Sequence, residues 1–568
     1  MGSVTRSATL AWLSAVAAAS LLLAAAPDDR PFSIVEATIP SMQAALRDGR
    51  VTSRTLVTLS LARLATYEDK LHAALAVNPR ALADADARDA ERARGTVRGP
   101  LHGIPIALKD NIQTTDMPTT GGALAFDGFV PPYDATLTIQ LRNAGAIIIA
   151  KTAMTELANW IAGEPTPMPA NYSALGGFAF NPYDPRRDPR PVSFDGRPAL
   201  TTGGSSSGVG TAASFWAANV GTETSGSILS PSNQNMLVGI KPTVGRISRY
   251  GVIPITADQD TPGPMARSVR DAAIMLGVLE GAAPDPHDGA TTRCTPPPAR
   301  DYTRGLRDDA LRGARIGIPR ADFYEKVDRP GAGPELTPPQ RSIMADAIAA
   351  LKAKGAVIVD PADIPSIVER DPDNNFLQWP ICSGANRGKL RDDRCSVAFK
   401  YGMKRDFNAW LATLGPSAPV KTLTALREWN LAHQRAGSLK YGQANLDISD
   451  EMDVAADRAR YEADRAKDLR LAGTNGIDAI MDRERLDALL FPGPGGAPLA
   501  ARVGYPTVIV PFGFVPNAPV PAFPQGFDAR PAPYGVSFTG RACSEPRLLE
   551  IAYAFEQATR RRVAPALP

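Results

Sequence analysis

The sequence predicts an α/β fold in which short buried strands alternate with helices. Two β-branched runs bounded by Gly and Asp, IPIALKD and AIIIAKT, are typical of buried strands, and the amphipathic stretch ATLTIQLRNAG lies between them. Strand, helix and strand at this spacing indicate a parallel crossover unit. The chain of 568 residues is long for one domain. Since it contains no internal repeat or low-complexity linker, we expect one large domain with insertions.

The other predicted elements follow in chain order. Residues 33–100 have apolar positions three and four apart, which predicts helices, one of them entered at Ser53 as the N-cap. RIGIP (315–319), a helix over 338–354 and AVIVD (356–360) repeat the crossover arrangement. LDALLFP and PTVIVPFGF add two apolar strands, and PRLLEIAYAFEQATRR predicts a closing helix.

Residues 361–480 differ in composition from the rest of the chain. They carry charge-rich helical stretches, such as DEMDVAADRARYEADRAKDLRLAG, and scattered aromatic residues. We interpret this region as a helical insertion that packs over the core, with its long charged stretch as a solvated helix face.

Composition and charge narrow the choice of partner. Hydrophobic residues make up 44% of the chain and charged residues 21%, as in an ordinary globular enzyme. The 62 basic and 59 acidic residues leave a net charge of +3, which favours neither nucleic acid nor an anionic membrane surface. The glycine-rich loops lack the GK[ST] pattern of a nucleotide site, and no cluster of histidines and carboxylates predicts a metal. The sequence therefore favours neither a nucleotide site nor a metal site.

The first residues have the pattern of an export signal. Arg6 precedes an apolar run from Ala8 to Ala26, and small residues stand at Ala24 and Ala26. This pattern predicts a cleaved signal over residues 1–26 and a periplasmic or secreted protein. An uncleaved N-terminal anchor is the alternative, because the run nearly reaches the length that spans a bilayer.

The cysteines are even in number, which permits disulfides in an exported protein. They are Cys294, Cys382, Cys395 and Cys543. Cys382 and Cys395 are the first choice for a pair, because they stand close together in a loop-like, charged segment. Cys543 stands at the start of a predicted helix, and we interpret it as a small buried hydrophobic residue.

Two glycine-rich turns that carry serines, together with one lysine, are the best candidates for catalytic residues. Residues 203–231 read GGSSSGVGTAASFWAANVGTETSGSILSP, and Lys109 stands upstream in the apolar run GIPIALKDNI. A hydroxyl attacks a carbonyl only when another group takes its proton. Glycine turns let backbone N–H groups point together at a developing oxyanion, and burial favours the neutral form in which a lysine is a base. These residue types indicate acyl transfer without histidine.

The same residues closely resemble the amidase signature family of serine hydrolases, which use a Ser–cisSer–Lys triad. The resemblance covers residues 103–112, 144–157, 203–250, 260–276, 486–514 and 533–562. It implies one domain over residues 27–568, with a mixed twisted β-sheet flanked by helices on both faces, that hydrolyses a small-molecule amide without a cofactor. The motifs look most like those of bacterial secreted and peptide-amidase-type members.

Carried over residue by residue, the resemblance implies roles for individual side chains. Lys109 matches the base, Ser205 the bridging serine held by a cis peptide, and Ser227 the nucleophile. The loop that forms the oxyanion hole in the family matches Thr224, Ser225, Gly226 and Ser227.

This chain departs from the family pattern in two places. The family has a slightly longer segment between its two serines than the one from Ser205 to Ser227. We place the missing residues near 216–219, which leaves Ser206 as the second candidate for the bridging serine. The other departure is Ser225, where relatives mostly carry Gly or Asp and where the side chain can narrow or polarise the site.

The pentapeptide GSSSG also matches the G-x-S-x-G nucleophile elbow of α/β hydrolases, which would make Ser206 the nucleophile. That mechanism needs a strand before the serine and a histidine after it. The preceding DGRPALTTGG has little strand character, and the histidines of the chain are His72, His102, His287 and His433. Because the two that follow the serines lie in a Pro/Asp loop and a polar helix, we favour the lysine mechanism.

Other functions are compatible with the same core. Carbamate or ester hydrolysis would use the same triad. The aminoacyl-tRNA amidotransferase subunit, which is supplied with ammonia from glutamine, shares the fold. A scaffold protein would keep the fold without catalysing a reaction. The export signal argues against the amidotransferase, whose tRNA partner is cytoplasmic. Retention of all the triad residue types argues against the scaffold.

The substrate pocket is expected to be lined by the residues after Lys109, by 119–124, by 154–160 and by the inserted region. The side chains that suggest an apolar or aromatic substrate are Met154, Trp160, Phe376 and Trp379. Several polar residues near the triad are expected to hold the structure together rather than to touch substrate: Asp110, Lys151, Thr222, Glu223, Arg267 and Asp271.

Overall fold

A mixed β-sheet forms the centre of the molecule. The computed structural model describes residues 31–191 and 195–567, so the predicted export signal at 1–26 lies outside the described residues. The strands are β1 (Ala74–Val77), β2 (Pro105–Lys109), β3 (Ile147–Thr152), β4 (Tyr172–Ser173), β5 (Gly177–Phe178), β6 (Ala218–Glu223), β7 (Val238–Lys241), β8 (Thr261–Ala266), β9 (Arg315–Gly317), β10 (Val357–Val359), β11 (Ala488–Pro492), β12 (Thr507–Val515) and β13 (Ala532–Thr539). In the described ranges, eleven of them form one sheet in the order β1-β3-β2-β6-β8-β7-β12-β13-β11-β9-β10.

Helices flank this sheet. They are α1 (Ile39–Arg47), α2 (Ser53–Leu71), α3 (Ala81–Ala93), α4 (Thr136–Asn143), α5 (Val209–Ala212), α6 (Leu229–Gln234), α7 (Val269–Leu279), α8 (Pro338–Ala353), α9 (Pro365–Val368), α10 (Ala398–Gly402), α11 (Asn408–Thr413), α12 (Leu423–Ala432), α13 (Ala444–Asp450), α14 (Arg458–Leu469), α15 (Asp478–Glu484), α16 (Ala497–Val503) and α17 (Glu545–Thr559). The predicted α/β class with a mixed sheet is confirmed. None of the described helices combines the length and the apolar composition that a membrane span needs.

Both predicted crossover units are present. β2 and β3 pair in parallel with α4 between them along the chain, and β9 and β10 pair in parallel with α8 between them. The rest of the sheet is mostly antiparallel, including the pairs β6–β8, β7–β8 and β12–β13. The runs LDALLFP and PTVIVPFGF form β11 and β12, and the closing helix is α17.

Two details of the local predictions are corrected. Helix α2 begins at Ser53, but its N-cap is Thr52, whose hydroxyl accepts the N–H of Thr55 at 3.0 Å. The N–H of Ser53 instead donates to Asp89 at 2.6 Å. The strands β6 and β8 were not predicted, because their sequences, ANVGTE and TPGPMA, lack a run of β-branched residues. Both strands are completely buried between neighbouring strands, and this burial stabilises them.

The region between β10 and β11 is built from helices. It contains α9 to α15 and, among the described residues, no strand of the main sheet. Its aromatic residues pack on the loops that follow β2 and β3: the ring centroids of Trp160 and Phe399 are 4.9 Å apart, and those of Phe126 and Trp410 are 5.7 Å apart. The exact limits of this insertion and of the surrounding domain stay predictions.

All the cysteines form disulfides. The predicted pair Cys382–Cys395 is confirmed. The interpretation of Cys543 as a small buried hydrophobic residue is wrong, because it is bonded to Cys294 across a sequence separation of 249 residues. The buried Arg246 links the two segments that carry these cysteines. Its guanidinium donates at 2.8 Å to the carboxylate of Glu545, at the start of α17. It also donates at 3.1 Å to the carbonyl of Thr295, the residue after Cys294.

Candidate active site

Two neighbouring strands bring the predicted base and nucleophile to one edge of the sheet. β2 and β6 run parallel, with Leu108 paired to Val220. Their carboxyl ends therefore lie side by side, which is the usual position of a site in an α/β sheet. β2 ends at Lys109, and the chain leaves β6 directly into the turn 224–227.

Lys109 is completely buried. Its Nζ lies 2.9 Å from Ser205 Oγ, 2.9 Å from Thr222 Oγ1 and 3.2 Å from the Thr222 carbonyl oxygen. Burial lowers the pKa of Lys109 from its ordinary value to about 7, although attraction to the carboxylates of Asp260 and Glu223 opposes this shift. A large neutral fraction, able to accept a proton, is therefore present near neutral pH.

Asp110 does not pair with Lys109. Its carboxylate lies 3.4 Å from Nζ of Lys151 and accepts the N–H of Thr120 at 3.0 Å. Lys151 in turn donates to Thr119 Oγ1 at 2.7 Å. These contacts agree with the structural roles expected for Asp110 and Lys151. Within the described residues, Lys109 is left without an ion pair of its own.

Thr222 has a larger part in the site than the sequence indicated. Both its hydroxyl and its carbonyl oxygen contact the Lys109 amine. Asn111 donates from Nδ2 to Thr222 Oγ1 at 3.0 Å and so fixes this hydroxyl. Nothing in the sequence distinguishes Thr222 apart from its place at the start of the TETSGS run. Arg267, by contrast, donates to backbone carbonyls of three residues in the described ranges, in keeping with its expected structural role.

Ser205 and Ser206 differ in their surroundings. Ser206 Oγ donates to the Thr222 carbonyl at 3.0 Å and accepts the Thr222 N–H at 3.1 Å, and its side chain is completely buried. Ser205 contacts Lys109 and lines an open cavity. This geometry favours Ser205 as the bridging serine. It also removes the basis for Ser206 as the exposed serine of a nucleophile elbow.

The peptide bond before Ser205 is trans, so the expected cis peptide is wrong for this structure. Among the described residues, cis bonds occur at Glu164–Pro165, Asp360–Pro361 and Val520–Pro521. Each precedes a proline, whose tertiary amide makes the cis form far less costly than at any other residue. The contact between Lys109 and Ser205 forms with the ordinary trans bond.

The turn 224–227 presents backbone donors to the cavity. The N–H groups of residues 225–227 donate to no acceptor within the described ranges. Gly226 has a φ of +86°, which side-chain-bearing residues rarely adopt. The Glu223 carboxylate accepts the next two N–H groups along the chain, at 2.7 and 3.0 Å. This arrangement anchors the turn and leaves the preceding N–H groups available to an anion.

Ser227 faces the same cavity as Ser205. A Cβ at position 204 would lie 3.1 Å from both the Gly226 carbonyl oxygen and Ser227 Cα, closer than most Cβ contacts. The absence of a side chain at Gly204 lets the two serine-bearing loops approach each other. The structure thus brings all three residues of the predicted triad to one edge of the sheet, with Lys109 beneath the cavity.

The cavity has a volume of about 520 Å³. From the predicted segment 154–160, Thr155, Ala158, Asn159 and Trp160 line it, whereas Met154 and the residues 119–124 do not. Phe376 and Trp379 also lie away from it. The helical region contributes residues that sequence analysis did not single out, namely Ser383, Phe399 and Asn445. The large apolar side chains in its wall are Trp160, Met168, Ile255 and Phe399.

None of the described histidines lines the cavity. His287 is exposed and lies 3.1 Å from Asp285, and His433 is exposed and contacts the Trp429 carbonyl at 2.7 Å. Within 31–191 and 195–567, no group of three or more His, Cys, Asp or Glu residues could hold a metal ion.

Comparisons with known proteins identify the class of protein. The sequence profile of the amidase family matches residues 55–549, so the chain belongs to the amidase family. It is 33% identical to a probable amidase of Arabidopsis thaliana, over 94% of this chain and 92% of the relative. It is also 32% identical to a glutamyl-tRNA(Gln) amidotransferase subunit of Synechococcus sp. (strain WH7803), over 90% of this chain and 95% of that protein.

The fold matches solved structures of the same family. The native peptide amidase of Stenotrophomonas maltophilia superposes with a TM-score of 0.77 at 34% identity, covering 94% of this chain and all of that chain. Family membership together with this likeness makes the protein an amide-hydrolysing enzyme.

Proposed function

We propose that the enzyme hydrolyses amides through a serine acyl-enzyme, with Ser227 as the nucleophile, Ser205 as the bridge and Lys109 as the base. The observation that carries the proposal is the 2.9 Å contact between Ser205 Oγ and a buried lysine that has no ion pair among the described residues. A hydroxyl can accept and donate a proton at once, which suits Ser205 to relay a proton between the nucleophile and the amine.

The steps follow from these positions. Ser227 Oγ attacks the amide carbon while its proton passes to Ser205 and the proton of Ser205 passes to Nζ of Lys109. The N–H groups of residues 225–227 stabilise the oxyanion. The proton then returns through Ser205 to the leaving amine as the C–N bond breaks. Water hydrolyses the acyl-enzyme by the same relay and releases the acid.

The substrate we propose is a small amide with an apolar or aromatic group near the scissile bond. Trp160 and Phe399 supply an aromatic wall, and one solved relative with a similar fold is a peptide amidase. Peptides with an amidated C-terminus are therefore the first compounds to test. A panel of amidated dipeptides, p-nitroanilides and carbamates, assayed for ammonia, nitroaniline or alcohol release, tests this proposal. Hydrolysis of carbamates or esters alone would favour the alternative reaction on the same triad.

Glu164 gives the cavity a charge preference. Among the described residues that line the cavity it alone carries a charge, and its carboxylate has neither a salt bridge nor a side-chain hydrogen bond there. We expect Glu164→Gln to raise KM for an amide bearing a free ammonium group by about two- to fivefold, the range of an exposed ion pair. The acetylated, neutral form of the same amide is the control, and an equal change in KM for both forms would contradict a role of charge.

We further propose that the mature protein works outside the cytoplasm. Two disulfides support this, because such bonds persist in oxidising compartments and are rare in the cytosol. The same argument disfavours a tRNA-linked amidotransferase role. N-terminal sequencing of the protein purified from its native host is expected to begin near Ala26 or Pro27. A start at Met1 or Gly2 in a membrane fraction would instead indicate an anchor.

A further inference from the structure

A second carboxylate, Asp260, lies directly behind the candidate catalytic turn. It stands immediately before β8, and one carboxylate oxygen accepts the hydroxyl of Thr224. Its other oxygen accepts the backbone N–H groups of Ile255 at 2.8 Å and Thr256 at 3.0 Å. Asp260 is therefore bonded to the first residue of the turn that holds Ser227, although it does not line the substrate cavity.

A small cavity separates Asp260 from the residues that hold Lys109. This inner cavity, of about 10 Å³, has a mainly apolar wall into which Asn111, Thr222, Thr224, Arg249 and Asp260 contribute polar groups. The Oδ1 of Asn111 is buried and has no hydrogen-bond partner among the described residues. A space of this size holds about one water molecule when several polar groups surround it. Asp260 and Thr222 thus line one small cavity, and Thr222 contacts the Lys109 amine.

Asp260 also borders the outside of the molecule. It lines an outer pocket of about 430 Å³, whose lining does not include the serines of the candidate triad. The charged and titratable groups that face it there are Tyr133, Arg249, Tyr250, His287, Asp288 and Asp406. Arg249 favours the ionised form of Asp260 and Asp406 disfavours it, while burial raises the pKa of Asp260 to about 7. Asp260 can therefore exchange protons with solvent in the pH range where the buried lysine also titrates.

We propose that Asp260 is a positioning residue whose negative charge favours the protonated form of Lys109 and so sets the pH above which the base becomes available. The proposal rests on the proposed function, since it takes Lys109 to be the base. Two observations support the proposal: the hydrogen bonds that fix the Asp260 carboxylate, and its electrostatic attraction to Lys109. The carboxylate is fixed by Thr224 and two backbone N–H groups, and its attraction is the largest one that opposes the loss of charge on Lys109.

The variant Asp260→Asn tests this inference because it removes the charge and keeps the shape. The amide oxygen can accept the two backbone N–H groups, and the Thr224 hydroxyl can accept from the amide nitrogen. Without the negative charge, Lys109 loses its proton more readily. Because the pKa of Asp260 is itself about 7, its charge is only partly present along the acid limb. We therefore expect the acid limb of the kcat/KM profile to move to lower pH by roughly a few tenths of a unit. An acid limb that stays in place in the folded variant overturns the proposal.

A matched control separates charge from structural damage. Asp271 is another buried carboxylate, which accepts the N–H of Ile39 at 3.0 Å and has a pKa raised by burial to about 6. Asp271→Asn should lower Tm but leave the acid limb where it is. If both Asn variants move the limb equally, the effect is structural and the proposal fails.

A second variant covers the case in which Asp260→Asn does not fold. Asp406 repels the ionised form of Asp260 from the outer pocket, so Asp406→Asn should move the limb upward by roughly a few tenths of a unit. An unchanged limb there would also overturn the proposal. Failure of the proposed function gives a different result. If Lys109 is not the base, Lys109→Ala keeps the hydrolysis rate of the parent enzyme, whatever the pH profile of Asp260→Asn.

Discussion

Ser227→Ala is expected to lose amide hydrolysis, with kcat lower by roughly 10⁴-fold or more, as in other enzymes that lose their covalent nucleophile. Ser227 lies in the cavity wall beside backbone N–H groups that have no partner among the described residues. The measurement is hydrolysis of the best amide from the panel together with labelling by a fluorophosphonate probe. Both should disappear while the circular dichroism spectrum and Tm stay close to those of the parent.

Ser206→Ala is the matched control for this result. Ser206 is buried and bonded to the backbone of Thr222. Its loss leaves buried backbone groups without a partner, so it should cost roughly 1–3 kcal/mol of stability and leave probe labelling intact. A labelled Ser227→Ala together with an unlabelled Ser206→Ala would reverse the assignment and restore the nucleophile-elbow interpretation.

Lys109→Ala is expected to have the second large effect, together with a change in the pH profile. Burial lowers the pKa of Lys109 to about 7, and only the deprotonated amine is a base. In the parent enzyme, kcat/KM should therefore rise as the pH increases through about 7 and hold into the alkaline range. Lys109→Ala should remove this rise and lower kcat by roughly 10²- to 10⁴-fold, the usual contribution of a general base.

A rise near pH 7 would by itself also fit a histidine, whose unperturbed pKa lies close by. Histidine variants therefore decide between the two bases. His433→Ala and His287→Ala should keep most of the rate and the same acid limb, because both side chains are exposed and neither lines the cavity. A folded but inactive histidine variant beside an active Lys109→Ala would contradict the lysine mechanism.

Local sequence patterns were enough to predict the strand that carries the base and its parallel neighbour. β2 and β3 are apolar runs with β-branched residues and clear limits, so their burial and parallel pairing could be read from composition and spacing. Lys109 was conspicuous because it ends such a run. The serine turns were conspicuous because glycine beside serine lets a turn point its backbone N–H groups at an oxyanion next to a nucleophile.

The missed features depend on contacts between distant parts of the chain. β6 and β8 are strands because neighbouring strands bury them, although their sequences contain Gly and Pro. Ser383 and Asn445 reach the cavity from the helical region far along the chain, and no local pattern marks them. The role of Asp260 likewise depends on its approach to Thr224, which becomes visible only after the sheet has formed.

The bond between Cys294 and Cys543 changes what a single proteolytic cut can do to this enzyme. The segment between β12 and β13 has no helix or strand and is largely exposed, with Val520 at 96% exposure, and it lies between the two bonded cysteines along the chain. Hydrolysis of one peptide bond there leaves the piece that carries β13 and α17 attached through sulfur. The nicked enzyme stays one covalent molecule until a reductant separates the two pieces.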